Sequence, residues 1–288
     1  MPTAQTDLAA TLRGVRGLLL DIDGVIVLRS RLIPGAAVAM RTLERIGLPY
    51  RLATNTSLVS RATMARQFAA AGLEVAPEAI ISAASATAAY VRRRHPGGRV
   101  LLISTADARA EFSGLELVGD ERPDEGGHAD AVVIGDIGAE LTFGQLDRAF
   151  AHLRAGAEFV AMHKNRWWLT EHGPTLDAGG LVVGLEYATE RRARLVGKPA
   201  AAFFREGVAQ LAALAGSPRL HAAEVAMVGD DVWNDVLGAQ RAGLRGVFVH
   251  SGKHGDAELQ RAARQGRGGG RPDAVAVDLA AVVAALAS

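Results

Sequence analysis

The amino-acid sequence predicts an α/β fold built on a parallel sheet, with a second α/β unit inserted into it. Short apolar runs alternate with helical segments, which is the pattern of strand–helix–strand units. Several runs end in Asp, Thr-Asn or Lys, and a different middle stretch interrupts the pattern before it resumes. Ligands bind beyond the carboxyl ends of strands in open α/β sheets, so these polar ends predict a functional site there.

The first predicted strand is the run GLLLDIDGV at 17–25. Its leucines lead into Asp21 and Asp23, and Gly24 closes the run. An apolar run of this length is typical of a buried strand that reaches the edge of a sheet. A simple strand-end turn is the alternative for these residues taken alone, because Asp and Gly favour turns.

Two helices and a second strand are predicted after this run. Proline near the start and glycine at the end predict a helix within 34–47. The run PYRLATNTS at 49–57 predicts a second strand that ends in Thr54 and Asn55. The segment 60–72 begins with a serine suited to cap a helix and ends at a glycine.

The middle of the chain predicts a separate α/β unit at about 79–190. The aromatic segment RWWLTEHGPTLDAGG has turn signals without helical periodicity and predicts a hairpin. The other predicted elements are strands at 99–105, 130–136 and 158–164 and helices at 142–155 and 179–190.

The first pattern then resumes. ARLVGKP at 193–199 predicts a strand ending in Lys198, and EVAMVGDD predicts a strand ending in Asp230 and Asp231. Predicted helices follow these two strands at 200–214 and 233–243, and further strands are predicted at 246–252 and 273–279. The predicted organisation is a core formed by 1–78 and 191–288, split by an α/β insertion at 79–190.

Composition excludes several classes of function. The chain of 288 residues has a formal charge of +1, which predicts no nucleic-acid surface. It has no cysteine, which excludes disulfides and thiolate chemistry and fits the cytoplasm. Its first residues lack a signal-peptide pattern, and no apolar run approaches the ~18 residues of a membrane span.

The polar residues at the strand ends suit one chemical function. Neighbouring strands lie about 4.8 Å apart, so the groups that end them converge on one edge of the sheet. Asp21, Asp23 and Asp230 supply anionic oxygens that suit Mg²⁺. With Lys198 and the Thr54 hydroxyl, they suit a phosphoryl group, which a carboxylate can attack to form an acyl phosphate.

Four motifs carry a resemblance to a known family. DIDG, TN, GKP and GDDVWNDV, in this order, resemble the motifs of the haloacid-dehalogenase-like (HAD) superfamily. The insertion between the second and third motifs is similar to the type IIA branch, which has a C2 cap. The resemblance implies a Rossmann-like parallel-sheet core with an inserted α/β cap domain.

The resemblance also implies catalytic and substrate-binding roles. Asp21 would be the nucleophile, and Asp23 would be the general acid and base. Thr54 and Asn55 would hold the phosphoryl group, and Lys198 would neutralise its charge.

The same resemblance implies a magnesium site. Asp21, Asp230 and the backbone carbonyl of Asp23 would be its ligands. Asp231 and Asp235 would act in a second layer or through water. Gly24 would let the backbone turn beneath the phosphate.

Other residues have competing interpretations. Asp235 has the alternative role of a helix-start acid that favours the dipole. Lys253 and His254 follow a predicted strand and lie near the rim, where contact with phosphate is the minor alternative. The arginines 92–94 are expected on a solvated helix face rather than at an anion site.

The insertion contains two histidines and two tryptophans that invite a functional interpretation. The spacing of His163 and His172 matches no zinc pattern, which favours ordinary core or surface histidines. Trp167 and Trp168 have two equal interpretations, either packing the cap or closing over the substrate.

The predicted function is a Mg²⁺-dependent phosphatase that hydrolyses a small phosphomonoester, pyrophosphate or phosphoamide through an aspartyl phosphate. The alternatives are a dehalogenase, which Asp23 disfavours, a phosphotransferase or mutase, and a non-catalytic HAD-like binding protein. A homodimer through the cap is a further expectation. The sequence does not select the substrate.

Overall fold

The computed structural model describes residues 8–170, 172–217 and 219–287. Their backbone contacts divide the chain into two compact units. The first unit contains the described parts of Met1–Thr54, Gln67–Ile81 and Lys198–Ser288, and the second contains those of Asn55–Arg66 and Ser82–Gly197. The chain therefore enters the second unit twice, and the domain limits at 78 and 190 stay a prediction.

Strands and helices alternate along most of the described chain. The strands are β1 (Gly17–Leu20), β2 (Val27–Leu28), β3 (Arg31–Leu32), β4 (Tyr50–Thr54), β5 (Ile80–Ser82), β6 (Arg99–Ile103), β7 (Glu116–Leu117), β8 (Ala131–Ile134), β9 (Glu158–Ala161), β10 (Trp167–Thr170), β11 (Gly173–Leu176), β12 (Arg194–Leu195), β13 (Val225–Gly229), β14 (Arg245–Val249) and β15 (Ala274–Ala276). The helices are α1 (Leu8–Leu12), α2 (Ala36–Arg45), α3 (Arg61–Ala70), α4 (Ala83–Arg94), α5 (Phe143–Arg154), α6 (Gly179–Thr189), α7 (Ala201–Leu214), α8 (Leu237–Arg241), α9 (Asp256–Arg264) and α10 (Leu279–Ala287).

The first unit is built on a six-stranded sheet in the order β15–β14–β13–β1–β4–β5. The pairings from β15 to β4 are parallel, and β1 has Leu20 opposite Val228 on one side and Leu52 on the other. All of β1 is buried, which explains its unbroken apolar run. The predicted parallel sheet is confirmed.

Helix α7 packs closely on the central strand of this sheet. A Cβ added at Gly207 would lie 2.8 Å from Leu19 Cδ1, and one at Gly17 would lie 3.2 Å from Leu211 Cδ1. Glycine at both positions therefore allows the helix and the strand to approach each other.

The second unit contains a five-stranded sheet in the order β12–β9–β8–β6–β7 and the antiparallel hairpin β10–β11. The pairings of the five strands are parallel. Alternate side chains enter two apolar clusters, with Ile103 and Ile134 in one cluster and Leu102 and Val133 in the other. Burial of both faces explains why these strands are apolar throughout.

One predicted strand differs from the structure. The run 193–199 was expected to be a core strand, but only Arg194–Leu195 is extended, and it pairs with β9 in the second unit's sheet. The Gly197 N–H also donates to Met162 O at 2.8 Å, and the first unit resumes at Lys198. The extended part, Arg194–Leu195, has too few apolar residues for the sequence to predict which sheet it joins.

The helix positions, and the serine cap of α3, were predicted more accurately. Thr142 and Gln145 form a reciprocal capping box at the start of α5, as expected for the helix predicted at 142–155. Ser60 Oγ accepts a hydrogen bond from the Thr63 N–H at the start of α3. The helix predicted at 233–243 begins as a π-helical turn over Val232–Val236. No helix in the described part of the chain is both long and apolar enough to cross a membrane.

Candidate active site

Asp21 lies directly after β1, at the carboxyl end of the central strand. Its N–H donates to Val228 O at 2.9 Å, which continues the strand ladder by one residue. The residue is buried, and its Oδ1 accepts hydrogen bonds from the Ile22 N–H at 2.8 Å and from Lys198 Nζ at 2.8 Å. The residue expected to be the nucleophile is therefore held in one orientation.

The Lys198 ammonium is buried among three acceptors. Its Nζ lies 2.8 Å from Asp21 Oδ1, 2.8 Å from Ala53 O and 2.6 Å from Asp235 Oδ1. An ammonium has three protons to donate and is costly to bury without partners. Burial by itself would lower the Lys198 pKa, but the charges of Asp21 and Asp235 raise it above its ordinary value. The side chain is therefore a fixed positive charge.

Two more carboxylates join Asp21 beyond the end of β13. Asp21, Asp230 and Asp235 are all buried, and each offers one oxygen within 4.8 Å of the others. Buried carboxylates at this spacing repel one another unless cations lie among them. Carboxylate oxygens are the ligands that Mg²⁺ prefers, so the residues present fit a magnesium site.

The pKa values of this cluster reflect burial first and repulsion second. Burial and the charge of Asp21 raise the pKa of Asp230 to about 7, against a lowering effect of Lys253. The same two causes raise the pKa of Asp235 well above its ordinary value. A bound divalent cation would favour the ionised form of these carboxyls, which is the second reason that the site fits a metal.

Asp231 differs from its neighbour Asp230 because protein donors surround it. Its Oδ1 accepts hydrogen bonds from the N–H groups of Trp233 and Asn234, both at 2.9 Å, and its Oδ2 lies 3.0 Å from Lys253 Nζ. Burial would raise its pKa, but Lys253 and then His254 lower it to about 2. Asp231 therefore caps the π-helical turn, which is compatible with its predicted indirect role.

Gly24 makes a turn that a side chain would block. Its φ is +82°, and an added Cβ would lie 2.5 Å from Asp230 Cγ. Asp23 precedes this turn and bridges to Val27, and the residue is exposed. Desolvation by the surrounding protein and the charge of Asp21 raise the pKa of Asp23 to about 6, against the lowering effect of Lys198 and Lys253.

The segment after β14 also contacts the acidic cluster. Ser251 Oγ donates to Gly24 O at 2.6 Å, and the Lys253 N–H donates to Asp230 Oδ2 at 2.6 Å. A Cβ added at Gly252 would lie only 2.0 Å from Asp230 Oδ2. Lys253 is predicted near the rim from its place after a strand, whereas Ser251 and Gly252 were not predicted. Their position at the end of a parallel strand was the available signal.

Thr54 and Asn55 are adjacent in sequence but belong to different units. Thr54 is buried at the end of β4, which pairs with β1, so it lies at the same edge of the sheet as Asp21. Asn55 begins the second unit, where its Nδ2 donates to Asn165 Oδ1 at 3.1 Å.

The two histidines of the insertion have different environments. His163 is buried, and its Nε2 forms a 2.8 Å hydrogen bond with Ser57 Oγ. His172 is exposed, and its N–H donates to Thr170 Oγ1. Within residues 8–170, 172–217 and 219–287, neither belongs to a group of side chains able to hold a metal. Core and surface roles therefore fit both histidines.

The remaining candidates of the insertion lie at its surface. Trp167 and Trp168 are in the predicted hairpin and are 38% and 37% exposed. The arginines 92–94 are exposed at the end of α4, and Arg92 donates to the carbonyls of Glu111 and Ser113. This agrees with a solvated helix end.

Comparison with known proteins connects this fold and cluster to one group of enzymes. The model of the haloacid dehalogenase-like hydrolases matches residues 18–117, and the HAD-hydrolase-like model matches 195–282. The cattle protein named haloacid dehalogenase-like hydrolase domain-containing protein 2 is 31% identical, over 85% of this chain and 88% of its own length. The rat phospholysine phosphohistidine inorganic pyrophosphate phosphatase is also 31% identical, over 85% and 86% of the two chains.

Solved structures agree with these matches. The 4-nitrophenylphosphatase of Thermotoga maritima has a TM-score of 0.82 and 26% identity, and the match covers 95% of this chain and 98% of that one. A glycerol phosphate phosphatase of Mycobacterium tuberculosis, in complex with magnesium, has a TM-score of 0.79 and 27% identity. That match covers 94% of this chain and 77% of the other.

The parallel α/β fold, with acids and a lysine clustered beyond its central strands, is that of a hydrolytic enzyme. The chain belongs to the haloacid dehalogenase-like hydrolase family. The resemblance drawn from the four sequence motifs is thereby confirmed.

Proposed function

We propose that the protein is a Mg²⁺-dependent phosphatase that hydrolyses a small phosphorylated metabolite through an aspartyl-phosphate intermediate. The observation that carries this proposal is the convergence of Asp21, Asp230 and Asp235 on one another, with the buried Lys198 ammonium paired to Asp21 and Asp235. Such a set can neutralise the charge of a phosphoryl group and place a carboxylate against its phosphorus.

Asp21 is the proposed nucleophile. Ile22 and Lys198 both donate to its Oδ1, which fixes the carboxylate in the orientation from which one oxygen can attack phosphorus. The Asp21 oxygen forms a bond to phosphorus while the bond to the leaving oxygen or nitrogen breaks. Water then attacks the acyl phosphate, which releases inorganic phosphate and restores the carboxylate.

Asp23 is the proposed general acid and base. It lies two residues beyond the nucleophile, and the residue is exposed, which makes it accessible to a leaving group and to water. It donates a proton to the leaving group in the first step and accepts one from water in the second. A dehalogenase has little use for a second acid at this position, so Asp23 favours a phosphatase over a dehalogenase.

Three residues are assigned to the phosphoryl oxygens. Lys198 offers the fixed positive charge described above, and the Thr54 hydroxyl lies at the same edge of the sheet. Asn55, next in the chain, is assigned from its place in the second motif. Together they would stabilise the charge that develops on phosphorus in the transition state.

Magnesium is the proposed cofactor, and Asp21, Asp230 and the Asp23 backbone carbonyl are the proposed ligands. When bound, it would neutralise phosphoryl oxygens as a Lewis acid. Asp230 Oδ2 already accepts the Lys253 N–H, which leaves Oδ1 for a cation. Asp235 Oδ1 forms an ion pair with Lys198, and its Oδ2 accepts the Asp231 N–H, so Asp235 is assigned an indirect role.

Phosphate release from a panel of substrates tests the proposal. The panel contains 4-nitrophenyl phosphate, sugar and glycerol phosphates, pyrophosphate and a phosphoamino acid with a P–N bond. We expect turnover of at least one member with Mg²⁺, a loss of at least ~10²-fold after cation removal with EDTA, and recovery on addition of Mg²⁺.

Other outcomes of this panel select other functions. Phosphate that is transferred to a second metabolite rather than to water would indicate a phosphotransferase or mutase. A panel without any turnover, at full occupancy by Mg²⁺, would contradict an enzymatic role and favour a binding protein.

We also propose that the second unit mediates a homodimer. The exposed face of α6 is uncharged, with Val183 and Tyr187 being 51% and 88% exposed. Leu176, which is 72% exposed, lies against Gly180 and extends this face. An uncharged face with small glycines suits symmetric contact with a second copy of itself, and apolar exposure of this kind marks interaction sites.

Light scattering of the purified protein tests this assignment. We expect twice the 30.1 kDa chain mass for the wild type and the monomer mass for Tyr187→Arg. Val38→Arg is the matched control, because Val38 is 59% exposed on α2 and lies outside this face. A wild-type monomer at micromolar concentration would contradict the proposed dimer.

A further inference from the structure

The segment that follows Thr54 is fixed by side chains of the second unit. Asn55 Nδ2 donates to Asn165 Oδ1 at 3.1 Å. Two residues further on, Ser57 Oγ accepts the Asp136 N–H at 2.9 Å. These partners come from the residues that follow β8 and β9, so the segment is attached to the carboxyl edge of the second sheet.

His163 completes the attachment. It follows β9 by two residues, and its Nε2 lies 2.8 Å from Ser57 Oγ and 3.6 Å from Asp177 Oδ1. The exposed fractions of His163 and Ser57 are 2% and 1%. A hydroxyl–imidazole hydrogen bond without competing water constrains both partners, because neither finds a replacement when it breaks.

The packing around the segment leaves little room for another conformation. A Cβ added at Gly135 would lie 2.7 Å from Met162 Sδ and 3.4 Å from Ser57 Cβ. A Cβ added at Gly197 would lie 2.7 Å from Asn55 Oδ1. Residues without side chains therefore lie against the segment at two points.

Burial lowers the pKa of His163, although the nearby carboxylates of Asp177 and Asp136 raise it. His152 is a second buried histidine of the same unit whose pKa is lowered mainly by burial, and its Nε2 lies 3.2 Å from Glu121 O. His152 has the same burial but a different partner, which makes it a matched control.

We infer that His163 is a positioning residue for phosphoryl binding, because its hydrogen bond to Ser57 fixes the backbone that presents Thr54 and Asn55. The inference rests on the proposed function, which assigns those two residues to the phosphoryl oxygens. A histidine that served only the core would affect stability without affecting substrate binding. The two roles therefore differ in a measurable way.

Kinetics of four variants of the full chain test the inference. His163→Phe keeps a ring of similar shape but removes the hydrogen bond, Ser57→Ala removes the hydroxyl, and His163→Gln restores an amide in reach of Ser57. We expect His163→Phe and Ser57→Ala each to raise KM for 4-nitrophenyl phosphate and the inhibition constant of inorganic phosphate by about tenfold. His163→Gln should return both constants to within about threefold of wild type. His152→Phe should leave them unchanged.

A double variant and an exchange measurement separate positioning from general destabilisation. Ser57→Ala with His163→Phe should be no worse than Ser57→Ala alone, because the serine substitution already removes the bond that His163→Phe removes. Hydrogen exchange at residues 55–60 should be faster in His163→Phe and Ser57→Ala but unchanged in His152→Phe.

Each result decides between the two roles. Unchanged KM and unchanged exchange in His163→Phe, with a melting temperature lowered as in His152→Phe, would overturn the inference. If His163→Phe does not fold, KM and exchange of Ser57→Ala are compared with those of His152→Phe instead. A wild-type protein inactive on every phosphate compound would refute the proposed function instead, and exchange at residues 55–60 would then show whether His163 fixes this segment.

Discussion

Replacing Asp21 with asparagine is expected to lower kcat by at least ~10³-fold for any phosphate ester that the wild type hydrolyses. The amide is nearly the same size as the carboxylate but is a poor nucleophile for phosphorus. The measurement is steady-state release of phosphate at saturating Mg²⁺. Mass spectrometry of the acid-quenched wild type should detect a phosphoryl group on Asp21, and the variant should lack it.

Loss of folding would not explain this result. Lys198 keeps Asp235 Oδ1 and Ala53 O as partners when the Asp21 charge is removed. The substitution also relieves repulsion within the cluster of acids, so we expect a melting temperature equal to or above that of the wild type. A well-folded Asp21→Asn protein with more than about a tenth of wild-type activity would contradict the assigned nucleophile.

Gly252→Ala is expected to lower kcat/KM by ~10²-fold and to weaken activation by Mg²⁺. The added Cβ would lie 2.0 Å from Asp230 Oδ2 and 2.3 Å from Asp230 Cγ, so the carboxylate must move. Displacement of about 1 Å in a positioned catalytic group costs on the order of 10²-fold in rate. The measurement is activity against Mg²⁺ concentration, which should show a higher half-saturating concentration.

Gly255→Ala is the matched control for this substitution. Gly255 lies three residues later in the same segment, has no atom within 4 Å of an added Cβ, and has a negative φ of −130°. It should keep wild-type kinetics. Equal effects of the two substitutions would show that the segment, rather than the Asp230 carboxylate, is responsible, and would contradict the proposed metal ligand.

Much of the first unit could be predicted from sequence because its signals are local. The leucine run of β1 and the acids that follow it lie within nine residues, and parallel pairing then places Asp21 beside the end of β13. The cap of α5 is likewise specified by residues three positions apart. Local patterns of this kind depend on neighbouring residues, which a single sequence displays directly.

Other features depend on contacts between residues distant in sequence. β12 joins the second unit's sheet although Lys198, three residues later, reaches Asp21 in the first. The contact between Gly252 and Asp230 and the bond between His163 and Ser57 each join separate elements. A short run such as Arg194–Leu195 has too few apolar residues to select its partner strand.

The sequence by itself determined that acids, a hydroxyl and a lysine follow apolar runs in the order of a phosphoryl-transfer site. Only the tertiary structure decided which carboxylate oxygens already have protein partners. It also decided that Gly252 lies against Asp230 and that His163 bonds to Ser57. The physical reason is that strand ends follow from local pattern and pairing, whereas hydrogen bonds between buried side chains depend on distances that are set when the whole unit packs.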